Sequence, residues 1–115
     1  MSVRVALAGS TGSIGTQAIE VLAAEGDRFE LTAIGASGRE PGTLIRQAQA
    51  LRPKVVAAAA ADAEPLLAEA LADCEVRCGP GALASLAEEA DVVVNGVVGF
   101  AGLEVTLATL QAGRR

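Results

Sequence analysis

Three glycines spaced three residues apart, Gly9, Gly12 and Gly15, lie between an apolar run and a segment with helical spacing. Each glycine weakens the strand or helix that contains it, so this cluster indicates that something must lie very close to the backbone. We interpret Gly9 as permitting a tight turn, Gly12 as leaving room for a pyrophosphate, and Gly15 as letting the helix pack close to the sheet. The first turn of that helix has free N–H groups at the positive end of a helix dipole, which favours an anion.

The hydroxyl groups of Ser10, Thr11 and Ser13 add hydrogen-bond donors to this loop. Its spacing is GxxGxxG, whereas the dinucleotide-binding fingerprint is GxGxxG, and no Lys-Ser/Thr follows as in a P-loop. The alternative is that the glycines only form a tight strand-to-helix turn. The position of the loop, after a strand and before a helix, favours a dinucleotide.

A second indication of the ligand comes from the end of the next strand, which reads "IGASGRE". A NAD-binding domain typically has an acidic residue here to hold the ribose 2′-hydroxyl, but this chain has Ser37, Gly38 and Arg39. Small residues leave room for a 2′-phosphate, and Arg39 can form a forked pair with it, so NADP is favoured. The opposing interpretations are that Arg39 is a solvated loop charge and that Glu40 would repel the phosphate.

The elements that must position these loops alternate between strand and helix. This alternation predicts a Rossmann-like, doubly wound α/β fold, which is a mostly parallel sheet with helices on both faces. Right-handed crossovers place the second and third strands on one side of the first and the fifth strand on the other, so two glycine-rich loops should face each other. Strands are predicted at 3–8, 29–35, 54–59, 75–79 and 91–97, and helices at 13–24, 41–51, 62–73, 82–90 and 103–113. Asp62 is expected to cap the helix at 62–73.

Composition excludes several classes of protein. The 115 residues suffice for one domain, and a net charge of −5 argues against nucleic-acid or anionic-membrane partners. No apolar run approaches the roughly 20 residues of a membrane span, and no leader segment is visible, so a cytoplasmic location is expected. Cys74 and Cys78 are interpreted as small apolar residues near a strand, because their spacing fits neither zinc nor a CxxC pair.

Two blocks of the sequence carry a family resemblance. "GSTGSIGTQ" and "VVVNGVVGFAGLEVTLATLQAGRR" resemble the glycine loop and a later segment of the 1-deoxy-D-xylulose 5-phosphate reductoisomerase family. The resemblance implies an NADPH-binding domain of an oxidoreductase in non-mevalonate isoprenoid biosynthesis. That family converts 1-deoxy-D-xylulose 5-phosphate to 2-C-methyl-D-erythritol 4-phosphate.

The resemblance also implies roles for single residues. Gly38 matches the glycine of the family's 2′-phosphate loop, and Arg39 stands where the family often has a lysine or arginine. Glu40 departs from an asparagine that is common at its position, which bears on 2′-phosphate recognition. The family's phosphate-binding turn is matched by Thr11, Gly12, Ser13 and Ile14, in the loop that begins at Gly9.

The resemblance further implies that this chain, residues 1–115, is a fragment of a longer enzyme that lacks the catalytic and C-terminal domains. The family's divalent-metal (Mg or Mn) carboxylates and sugar-phosphate site come later in its sequence. Residues 1–115 contain no His and no compact carboxylate cluster, so we assign no catalytic or metal residue here. The parent enzyme is expected to be a homodimer, and the isolated chain to self-associate through the edge of its fifth strand.

Two alternatives stay open at this point. The chain could be the cofactor domain of another NADP oxidoreductase, which the glycine spacing alone permits. It could also be a free-standing nucleotide-sensing module without catalysis, since a fold does not fix a function.

Overall fold

The computed structural model describes residues 2–115, with the side chain of Phe100 outside the description. Strands and helices alternate along the chain as the sequence predicts. The strands are β1 (Val3–Ala8), β2 (Phe29–Ala36), β3 (Val55–Ala58), β4 (Glu75–Cys78) and β5 (Val92–Asn95). The helices are α1 (Ser13–Ala24), α2 (Pro41–Leu51), α3 (Glu64–Ala70) and α4 (Gly99–Gln111), with 3₁₀ segments at Ala61–Ala63 and Ala84–Glu89.

The five strands form one parallel sheet in the order β4-β3-β2-β1-β5. β2 and β3 lie on one side of β1 and β5 on the other, which confirms the predicted reversal of strand order. In open α/β sheets such a reversal creates a crevice beyond the carboxyl ends of the strands, where ligands bind.

Helices cover both faces of the sheet, as predicted for a doubly wound fold. One core, which contains Leu7 and Ile34, lies under α1, α2 and α3. The other contains Ala6 and Val105 and lies under α4 and the 3₁₀ segment Ala84–Glu89. Because aromatic residues are nearly absent, small aliphatic side chains fill both layers.

The predicted helix at 62–73 is shorter in the structure, and Asp62 does not cap it. Asp62 lies inside the 3₁₀ turn Ala61–Ala63, and the N-cap of α3 is Ala63, without a side-chain hydrogen bond. The backbone N–H of Ala63 donates to the carbonyl of Ala60, so the chain is already turning before the α-helix begins. The prediction that Asp62 caps this helix is therefore wrong.

The segment predicted as a helix at 82–90 is instead a 3₁₀ helix, Ala84–Glu89. The buried residues in and beside it are spaced three and four apart, which also suits an α-helix: Ala82, Leu83, Leu86, Ala87 and Ala90. α4 in turn begins four residues earlier than predicted, at Gly99, and Gly113 follows its C-cap Ala112.

β5 lies at one edge of the sheet. Its outer side is partly paired, since the Val93 N–H donates to the carbonyl of Arg115 and the Arg115 N–H donates to that of Asp91. Self-association through this edge stays a prediction. No helix within residues 2–115 is long and apolar enough to cross a lipid bilayer.

Candidate functional site

The loops after β1 and β5 touch at the carboxyl edge of the sheet. The strands pair up to Ala8 and Asn95, and Gly9 follows with φ +84°. A Cβ atom on Gly9 would lie only 2.8 Å from the carbonyl carbon of Gly96. Gly9 is thus needed both for its backbone conformation and for this close approach. The prediction that two glycine-rich loops face each other is confirmed.

The loop after β1 is held by backbone contacts. The N–H groups of Gly9 and Ser10 both donate to the carbonyl of Gly35 in β2, at 2.8 and 2.9 Å. The N–H of Gly12 donates to the Gly9 carbonyl at 3.2 Å. A Cβ on Gly15 would lie 2.0 Å from the Gly9 oxygen, so α1 packs on the turn itself more than on the sheet beyond it.

Gly12 differs from its two neighbouring glycines. Its φ of −79° and ψ of 175° are open to any residue, and an added Cβ would meet only the Gly9 oxygen at 3.6 Å. Packing inside the chain therefore does not require a glycine here. The space beside Gly12 is free for a ligand to approach the backbone.

Gly12 is also the N-cap of α1, and it offers no side chain to the first-turn N–H groups. Those groups have no intrahelical acceptor, and they lie at the positive end of the helix dipole. Around them Thr11 is half-buried, while Ser13 and Ile14 are exposed. Ile14 lies beside the other loop, because a Cβ on Gly96 would meet its Cγ2 at 3.4 Å. The arrangement can accept an anion next to an apolar side chain.

The loop after β2 lies on the same sheet edge, since β2 pairs with β1. Gly38 is buried with φ +85°, and its Cβ position would be 3.0 Å from Cβ of Ala58. Arg39 is exposed and forms no ion pair with any residue that the structure describes. The Arg39 side chain borders a groove that also contains Asp62, and Glu40 next to it is exposed. A phosphate near Arg39 would therefore meet two carboxylates in its surroundings.

Sequence reasoning did not identify Asn95 and Gly102, which shape the loop after β5. Asn95 Nδ2 donates to the carbonyl of Gly102 at 2.7 Å and to Thr106 Oγ1 at 3.0 Å. Its Oδ1 accepts the N–H of Val97 at 3.0 Å. A Cβ on Gly102 would lie 2.0 Å from the Val97 oxygen, so α4 packs tightly on its own loop. An Asn-Gly pair at a strand end signals such a turn, although not its bond to the helix.

Sequence reasoning also missed Gln47 of α2. Its Nε2 donates to the carbonyl of Ser10 at 2.8 Å, across 37 positions of the chain. Ser10 is fully buried, and neither its Oγ nor Gln47 Oε1 has a hydrogen-bond partner among the described residues. No pattern in the sequence links these two residues.

The two cysteines lie on either side of β4, Cys74 before its amino end and Cys78 at its carboxyl end. Cys74 and Cys78 are free and half-buried, and burial raises the pKa of both thiols. Cys74 borders a larger groove at the opposite, amino edge of the sheet, beside Arg52 and Pro53. Within residues 2–115, no group of three or more His, Cys, Asp and Glu side chains could hold a metal ion.

Comparison with known proteins agrees with these features. Residues 5–115 match the family model of 1-deoxy-D-xylulose 5-phosphate reductoisomerase. The reductoisomerase of Mycolicibacterium smegmatis is 49% identical over 114 residues, which are 97% of this chain and 27% of that protein. That of Nocardia farcinica is 50% identical over 115 residues, 98% of this chain and 28% of that protein. The chain thus spans less than a third of the length of these relatives.

Solved structures give the same result. The reductoisomerase of Zymomonas mobilis in complex with NADPH superposes with a TM-score of 0.91 at 31% identity, over 99% of this chain and 31% of that one. A reductoisomerase in complex with NADPH, fosmidomycin and magnesium also gives 0.91, at 27% identity, over 98% of this chain and 29% of that one. Together with the profile over residues 5–115, these likenesses show that the chain belongs to the 1-deoxy-D-xylulose 5-phosphate reductoisomerase family.

Proposed function

We propose that this chain is the NADPH-binding domain of an enzyme that converts 1-deoxy-D-xylulose 5-phosphate to 2-C-methyl-D-erythritol 4-phosphate. Its membership of the family and its likeness to relatives solved with NADPH support this. Because the chain spans 27–30% of the relatives it matches, we propose that it is one domain of a longer enzyme. The chemistry would then need parts that lie outside these 115 residues.

The observation that carries the proposal is the unfilled space at Gly12. Its backbone conformation suits any residue, and an added Cβ meets nothing closer than 3.6 Å. Next to it lies the first turn of α1, which has no side-chain cap. Free N–H groups and an open approach to the backbone fit the pyrophosphate of a dinucleotide.

The proposed cofactor contacts fall into two groups. Gly9, Thr11, Gly12, Ser13 and Ile14 would hold the pyrophosphate and the chain next to it. Gly38 and Arg39 would receive the 2′-phosphate, because Gly38 permits the turn after β2, at φ +85°, and the Arg39 guanidinium has no ion pair with a described residue. The carboxylates of Glu40 and Asp62 repel the 2′-phosphate, so we expect a moderate preference for NADPH over NADH.

When bound, NADPH supplies the hydride for reduction, and the residues of this chain bind and orient it. No residue of the chain is assigned a catalytic role. The magnesium in solved relatives supports a divalent-metal (Mg or Mn) site in the full-length enzyme. The sugar-phosphate site is proposed to lie outside these 115 residues as well. A homodimeric parent enzyme and a cytoplasmic location remain predictions.

Calorimetric titration of the chain with NADPH and with NADH tests the proposal. We expect NADPH to bind about tenfold more tightly than NADH, and Arg39→Ala to remove most of that difference. Arg28→Ala is the matched control, because Arg28 is also exposed but precedes β2 at the opposite edge of the sheet. Failure of the unmodified chain to bind either cofactor would contradict the proposal.

A further inference from the structure

Gln47 reaches from α2 to the middle of the glycine loop, where its Nε2 donates to the carbonyl of Ser10 at 2.8 Å. We propose that Gln47 is a positioning residue, which fixes this loop in the shape that receives the cofactor pyrophosphate. The proposal rests on the proposed function above, and it adds a residue that neither the glycine motif nor the helix pattern indicates.

The glycine loop is anchored from two directions. On the strand side, the carbonyl of Gly35 accepts the N–H groups of Gly9 and Ser10. On the helix side, Gln47 gives the only side-chain hydrogen bond to the backbone of residues 9–12 that the described residues form. Because β2 holds the N–H of Ser10 and Gln47 holds its carbonyl, removing Gln47 frees the carbonyl and leaves the N–H bonded.

The hydroxyl of Ser10 and the amide oxygen of Gln47 are buried, and burying a polar group is costly unless it forms a hydrogen bond. Ser10 is fully buried, and its Oγ and Gln47 Oε1 both lack a partner among the described residues. An apolar side chain at position 47 would avoid burying an unpaired amide oxygen. The amide is therefore explained by its bond to the loop and not by core packing, for which α2 uses Leu44 and Ala48.

α2 also joins the two loops of the proposed cofactor site. Its first residue is Pro41, two positions after Arg39, and Gln47 lies further along the same helix. The helix thus links the loop after β2 to the glycine loop through one hydrogen bond. We expect the loss of that bond to loosen the pyrophosphate loop, which NADPH and NADH share, without changing the preference between them.

Gln47→Met tests this, since methionine has a similar length and volume but no N–H donor. We expect the Kd of the chain for NADPH and for NADH to rise by about three- to tenfold in both cases, with their ratio unchanged. Gln49→Met is the matched control, because Gln49 is exposed on the same helix and borders the groove at the opposite edge. Gln47→Glu, which keeps the shape but brings a carboxylate to the Ser10 carbonyl, should weaken binding at least as much.

Amide hydrogen exchange of the free chain gives a readout that does not need the cofactor. In Gln47→Met the N–H groups of Gly9 and Ser10 should exchange about three- to tenfold faster, while those of Leu7 and Ile34 in the core keep their rates. Unchanged exchange at Gly9 and Ser10, or equal acceleration throughout the chain, would overturn the proposal. So would wild-type affinity in Gln47→Met, or an equal loss in Gln49→Met. If the unmodified chain binds neither cofactor, the proposed function fails, and the exchange rates alone decide on Gln47.

Discussion

The loops after β1 and β5 share one packing feature and differ in their anchors. In each, a helix glycine faces a loop carbonyl, since a Cβ on Gly15 or on Gly102 would lie 2.0 Å from the oxygen of Gly9 or of Val97. The side chain of Asn95 ties the β5 loop to its own helix, and the Gly96 N–H donates to the carbonyl of Ala8 in β1. The β1 loop is tied to other elements, β2 and α2.

This difference distinguishes the residues that packing requires from those that are available to bind a ligand. In the β5 loop, packing against the Val97 oxygen explains Gly102, and Asn95 satisfies the turn. In the β1 loop, packing explains Gly9 and Gly15 but not Gly12. We infer that the β1 loop makes the closer approach to the ligand, because the N-cap of α1 is Gly12, without a side chain, whereas that of α4 is Val98.

Replacing a helix glycine that packs against a loop carbonyl should have the largest effect on stability. In Gly15→Ala the new Cβ would overlap the Gly9 oxygen, at 2.0 Å, and backbone atoms of Ser10. We expect the free energy of unfolding to fall by about 3 kcal/mol, because overpacking against backbone outweighs the gain in helix propensity. Urea unfolding measures this, with Gly26→Ala in the turn after α1 as control. A loss below about 1 kcal/mol would mean that α1 moves away easily.

Removing the anchor of the β5 loop should have a smaller effect. Asn95→Ala leaves the N–H of Val97 without its side-chain partner in a partly buried region, while the Gly102 carbonyl keeps only its bond from Thr106 Oγ1. We expect a loss of about 2 kcal/mol in the free energy of unfolding, measured in urea. Gln111→Ala, which removes an exposed amide from α4, is the control and should be near neutral. Equal stability of the two variants would contradict the role of Asn95.

The smallest effect on stability is expected for an ion pair at the amino ends of β1 and β5. Arg4 and Asp91 form an exposed ion pair at 3.0 Å, and its hydrogen bond lowers the pKa of Asp91. Since the folded pKa lies below the unfolded value of about 3.9, the pair stabilises fully above that pH and loses its effect as the pH falls towards the folded pKa. Asp91→Asn should therefore lower the Tm slightly at about pH 7 and by less at about pH 3, where Asp27→Asn serves as control. A larger loss at the lower pH would contradict this sign.

The sequence predicted the strands and loops of the site better than the side chains that hold those loops in place. The alternation of elements gave the strand order, and the glycine spacing located the loop after β1, because both are local patterns. Asn95 and Gln47 were missed, since their partners lie on other elements, and the partner of Gln47 is 37 positions away. The helix predicted at 82–90 is a 3₁₀ helix over part of that range, because apolar residues three and four apart do not distinguish the two kinds of helix.

Gly12→Ala, measured for stability and for NADPH binding in the same preparation, tests the pyrophosphate site at the start of α1. We expect an unchanged free energy of unfolding to within about 0.5 kcal/mol, because alanine fits the backbone and its weaker capping offsets the reduced entropy of the unfolded chain. We also expect at least a tenfold higher Kd for NADPH, because the methyl group occupies the space where the pyrophosphate approaches. Wild-type affinity for NADPH in Gly12→Ala would rule out this site, and would leave the glycines with a purely structural role in the turn.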